Sequence, residues 1–129
     1  MTFLRPMIII ILGFTILFGI SITTSYKLNS SSEVLQVELI ATEELIHSEQ
    51  WDQALHRIED MQTKWSEYHN WWAIFLNHST LNNIEISLSR LQQFTLTKDQ
   101  ALSLAELHTL LVLLKDISES ELLKVYNIF

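Results

Sequence analysis

Apolar residues are distributed along this chain in two different ways. From Met7 to Ile22 they are almost continuous (MIIIILGFTILFGISI), and no charge follows until Lys27. A helix over residues 7–26 would be about 30 Å long at roughly 1.5 Å per residue, the thickness of a bilayer's hydrocarbon core. Beyond residue 32 the apolar positions become periodic. Trp51, Ala54, Ile58, Met61, Trp65, Tyr68, Trp72 and Phe75 alternate steps of three and four. That is the seam of a helix packed lengthwise on a partner helix, and it predicts one long helix ending near Asn77.

Boundaries between helices must come from polar caps, because no Gly or Pro follows Gly19. Ser30-Ser31-Ser32-Glu33 reads as a capping box opening a helix to about His47, with Val34, Leu35, Val37, Ile40, Ala41 and Leu45 as its apolar side. A turn is expected at Ser48-Glu49-Gln50, with a continuous helix as the other option. Ser79 or Thr80 is the expected cap of a third helix presenting Leu81, Ile84, Leu88, Leu91 and Phe94. Thr97-Lys98-Asp99-Gln100 opens a fourth. Its apolar residues, including Leu102, Leu104, Leu107, Leu110, Leu111 and Leu114, occupy more than one side, which predicts a central position. Ser118-Glu119-Ser120-Glu121 precedes a short terminal helix ending at Phe129.

The fold class is therefore all-α, an N-terminal transmembrane helix followed by a four- to five-helix bundle. Residues 1–6 form a short N-terminal tail, 7–26 the transmembrane anchor, 27–32 a linker and 33–129 an acidic helical domain. The hairpin from Glu33 to Trp65 has the length of a tetratricopeptide unit, but no second copy recurs at a fixed period.

Charge and composition narrow the partners. The net charge is −7, and setting Arg5 aside leaves −8 on the remainder, a poor match to phosphate backbones. The chain has no Cys, which excludes disulfides, a thioether lipid anchor and thiolate metal sites. Arg5 precedes the apolar run and Lys27 alone follows it closely, which favours a cytoplasmic N-terminus and an extracytoplasmic domain in the cell membrane. The alternative is a secreted domain released by signal cleavage near Thr23-x-Ser25.

No catalytic pattern emerges. His47, His56, His69, His78 and His108 form no pair at metal-binding helical spacing. Glu44-x-x-His47 is half of a di-iron ligand set without its counterpart. The serines cluster where helix caps are expected, and no glycine is left to build a nucleophile turn or a phosphate loop. No enzyme activity, metal or cofactor is expected. The densest unusual segment runs from Trp65 to His78 and holds three of the four tryptophans. Trp65 and Trp72 fit the buried seam, whereas Trp71 is surplus to it, as at an interface or a membrane–water boundary. His78 and Glu85 offer a polar bridge between the second and third helices. Tyr68, His69, Trp71, Trp72, His78 and Glu85 are thus the candidate interaction surface.

The stretch Trp65…Trp72-Ala73-Ile74-Phe75-Leu76-Asn77-His78…Leu81-Asn82-Asn83-Ile84-Glu85…Leu88…Arg90-Leu91, with Ala105-Glu106-Leu107…Leu110…Ile117…Glu121 and Asn127-Ile128, is similar to bacterial domain-of-unknown-function family 4363. The resemblance implies a small membrane-anchored protein of the kind found mostly in endospore-forming Firmicutes. It also implies, as a partner, a multi-pass membrane protein of the YetF-like type. An acidic residue expected in that family near Asn77 or Asn82 is Asn at both positions here. The expected function is a single-pass, membrane-anchored accessory or assembly partner of another envelope protein. The alternative is an extracytoplasmic sensor binding a small ligand among Tyr68, His69, Trp71 and Trp72.

Overall fold

Helix α1 runs without interruption from Leu4 to His47, and three further helices fold back on its second half: α2 (Trp51–Phe75), α3 (His78–Leu96) and α4 (Gln100–Ile128). The computed structural model describes the backbone of residues 3–128 and the side chains of residues 3–20 and 30–117. Each helix packs on its neighbours in the chain, and α4 closes the ring on α1. Ser32 Oγ donates to Leu114 O (2.7 Å) at one end of the α1–α4 contact, and Gln100 Nε2 donates to Ile46 O (3.2 Å) at the other. The two helices are antiparallel, and the topology is an up–down–up–down bundle.

The core follows the three-four rhythm on every helix. Ser32, Leu35, Leu39, Thr42 and Ile46 are buried on α1, and Ala54, Ile58, Met61, Trp65 and Trp72 on α2. α3 contributes Leu81, Ile84, Leu88, Leu91 and Thr95, and α4 Ser103, Leu107, Leu110, Leu114 and Ile117. Such a repeat keeps one seam facing inward along the whole length of a helix. Each fully buried Leu or Ile contributes about 1.5–3 kcal/mol. The buried threonine hydroxyls are satisfied within their own helices: Thr42 Oγ1 donates to Glu38 O and Thr95 Oγ1 to Leu91 O, both at 2.7 Å.

Polar ties fix the register between neighbours. Glu38 on α1 accepts from Arg57 (3.3 Å) and Lys64 (3.4 Å) on α2, while Gln62 donates to Gln92 (2.7 Å) across α2 and α3. The Glu38 pairs are partly exposed and are worth at most about 1 kcal/mol each.

Several sequence expectations are corrected. No break occurs at Ser30, so the expected linker over 27–32 is helical. With no Gly or Pro there, and with the Ser32 hydroxyl bonded to Leu114 O across the bundle, nothing stops the helix. The apolar side expected for this segment is out of phase: Val34, Val37 and Ile40 are exposed. Leu35, Leu39 and Ile46 set the phase, with the small polar Ser32 and Thr42 filling the positions between. α4 is one of four corners and not a central helix, since Leu102 and Val112 on its outer side are exposed. It continues through 118–121 to Ile128 without a separate terminal helix. The side chains of the cap expected at Ser118–Glu121 lie outside the described residues, as does Phe129.

The caps also differ. Asn77, not Ser79 or Thr80, caps α3, its Oδ1 accepting from Thr80 N at 2.8 Å. Asp99 opens α4, accepting from Leu102 N at 3.0 Å, while Thr97 belongs to the end of α3. α1 and α3 close with the same device. Gln50 N donates to Leu45 O and Glu49 N to Ile46 O, and Asp99 N donates to Phe94 O and Lys98 N to Thr95 O. Glu49 (φ 58°) and Lys98 (φ 56°) occupy the left-handed position usually given to Gly.

The first part of α1 has a different character. Every described side chain from Phe3 to Ile20 is exposed, and a Cβ added at Gly13 or Gly19 would meet nothing within 4 Å. No helix among the described residues is long and apolar enough to cross a membrane. The last part of the expected span, 21–26, lies outside the residues with described side chains, as do Thr23 and Ser25 of the alternative cleavage site.

Candidate interaction surface

The C-terminal half of α2 places five aromatic side chains and one histidine within three turns. Trp72 is at 0% exposure, its ring edge-on to Trp65 (centroids 5.3 Å apart) and stacked with Tyr68 (6.1 Å). His69 stands edge-on to Trp65 at 5.6 Å, and Trp71 edge-on to Phe75 at 5.0 Å. Aromatic pairs in these geometries add about 0.5–1.5 kcal/mol to their burial. Trp72 is therefore core and not contact surface, which corrects its place in the candidate set. Its Nε1 is buried without an acceptor among the described residues. Tyr68 and Trp71 are half-buried against the core.

Glu85 on α3 bridges to α2, but not through His78. Its Oε1 accepts from Trp65 Nε1 at 3.4 Å and lies 3.5 Å from His69 Nε2. The bridge between the second and third helices expected of His78 and Glu85 does not form because α3 begins at His78 and carries both residues, with His78 exposed in its first turn. The structure thus brings Trp65, His69 and Glu85 together, with Tyr68 and Trp72 behind them. Trp71 lies one turn before the end of α2, packed on Phe75.

Two outward apolar surfaces lie outside this candidate set. Val37 and Ile40, 65% and 54% exposed, form an outward stripe with Val34 on α1. Ile74, at 73%, stands at the last turn of α2 beside the partly exposed Phe75. A heptad phase read from Leu35, Leu39 and Ile46 would have exposed the first. The second needed the position of the turn.

The cavities are modest. An apolar one among Leu35, Leu39, Met61, Trp65, Ile84, Leu88, Leu110 and Leu114 holds about 10 Å³, no more than a single water requires. An open depression of about 490 Å³ between α1 and α2 is polar, lined by Glu38, Asp52, Gln53, His56, Arg57 and Asp60. Glu43 lies 3.7 Å from His47 and 3.3 Å from His108, on the outside of the α1–α4 contact. Among the described residues no group of three or more His, Asp and Glu side chains is placed to hold a metal ion.

A family model described as a domain of unknown function (DUF4363) matches residues 22–128. No curated protein and no solved structure matches the chain.

Proposed function

The chain belongs to the DUF4363 family, which carries no assigned activity, and we propose from its own residues that it is a membrane-anchored helical domain serving as an accessory or assembly partner of another envelope protein. The carrying observation is α1 itself. One unbroken helix bears apolar side chains exposed on every side from Phe3 to Ile20, and then an outward apolar stripe at Val34, Val37 and Ile40. Apolar residues exposed around a full helix suit lipid. The stripe above them suits a protein standing beside the same anchor, such as the multi-pass membrane protein that the family resemblance implies. The bundle acts through its surface in this reading and performs no catalysis. The N-terminus is cytoplasmic and the bundle lies outside.

A photocrosslinking side chain at Val37, in membranes carrying the full chain, tests the reading. The expected result is one discrete protein adduct, absent from the same probe at Gln53 and lost in Ile40→Asp. Adducts to lipid alone, or equal labelling at both positions, would remove the partner from the account.

A further inference from the structure

We propose that the α2–α3 turn rests on the lipid surface beside the anchor, so that the bundle is held with one end against the membrane. The inference builds on the anchor reading above and adds a second point of attachment. Topology places this turn at the end of the bundle from which the apolar part of α1 leaves. Loops 48–50 and 97–99 lie at the opposite end.

The register makes the level specific. Glu38 on α1 reaches both Arg57 and Lys64, so it stands beside the middle of that interval on α2. Ile74 lies nearly four helical turns further along α2, about 20 Å at roughly 1.5 Å per residue. The same distance back along α1 from Glu38 ends near residue 24, just past the apolar run that closes at Ile22. A bilayer holding that run would have its polar boundary at the height of Ile74 and Phe75.

Composition agrees with the level. The chain has 15 acidic residues, and its two longest stretches without one are 1–32 and 68–84. The first carries the apolar run and the second is the turn with its flanks, which contains no Lys or Arg either. An otherwise acidic domain thus keeps carboxylates off α2 and α3 at the corner nearest the proposed bilayer, where an anionic surface would repel them. Acids do occur beyond the corner: Glu67 on α2 and Glu85 on α3 bound the stretch, and α4 carries Asp116, with Glu119 and Glu121 following in sequence. What the corner offers is Ile74 at 73% exposure, the partly exposed Phe75, and Trp71 packed on Phe75. Aromatic and apolar side chains of this kind gather at the headgroup level of membrane proteins.

The chain's lack of Cys allows single labels. Bimane on Ile74→Cys, Gln53→Cys and Ile9→Cys, each in the full chain in phosphatidylcholine vesicles, is read with lipid-borne bromine and with aqueous iodide. The expected result is strong quenching by bromolipid at Ile9 and Ile74 and little at Gln53, where iodide quenches instead. If Ile9 is quenched by bromolipid while Ile74 answers to iodide, the turn stands clear of the membrane and only this proposal fails. A label at Ile74 shielded from both quenchers means a protein covers it, which overturns the proposal as well. A label at Ile9 that bromolipid does not reach defeats the anchor reading and the proposal with it.

Discussion

The two parts of α1 use the same residue types to opposite ends. From Met7 to Ile20 the Ile, Leu and Phe side chains are exposed on all sides, whereas from Leu35 to Ile46 one seam of Leu and Ile is buried completely. Hydrophobicity alone does not separate these environments. Periodicity does. A continuous apolar run has no inside, while a three-four spacing selects one face and leaves the rest to water.

That contrast can be broken experimentally, beginning with the largest effect. Leu39→Ala, in the seam, should lower the stability of the bundle by about 2–5 kcal/mol, whereas Ile10→Ala should leave its denaturation midpoint unchanged. Equal effects would mean that the apolar run also packs into the fold. Ile11→Asp should weaken membrane association by about 3 kcal/mol, the cost of an acid at the centre of a spanning helix, without moving the thermal midpoint of detergent-solubilised protein. Ser32→Ala removes the hydroxyl that ties α1 to Leu114 O and should cost about 1 kcal/mol in urea unfolding.

Much of the bundle could be read in the chain, and the residues that misled did so for physical reasons. The seam of α2 was plain because large side chains occupy nearly every inward position. On α1 the seam passes through Ser32 and Thr42, so the β-branched Val34, Val37 and Ile40 outweighed it by hydrophobicity while facing outward. The end of α1 at His47 was legible from the polar run Ser48-Glu49-Gln50, but the left-handed closures at Glu49 and Lys98 were not, because sequence associates that backbone conformation with glycine. Pairing Glu85 with His78 placed the two on different helices, whereas both lie on α3 and the partners of Glu85, Trp65 and His69, are on α2. The family, whose model matches residues 22–128, was legible as a resemblance carried by Trp65, Trp72 and the leucines of α3 and α4. The outward surfaces were not, since which residues remain exposed depends on the packing of all four helices.

The smallest predicted effect lies in those turns. Glu49→Gly or Lys98→Gly relieves a left-handed backbone strain of about 1 kcal/mol per residue, most of it offset by the freedom glycine gains in the unfolded chain, and should raise the urea midpoint slightly. A drop in stability would show that these side chains do more than close a helix.

The anchor reading is tested most directly by extracting membranes that carry the full chain with alkaline carbonate. The account predicts that the chain stays in the pellet at its intact mass of 15.1 kDa and is released only by detergent. A soluble product lacking the first two dozen or so residues would show instead that the apolar run is a cleaved leader.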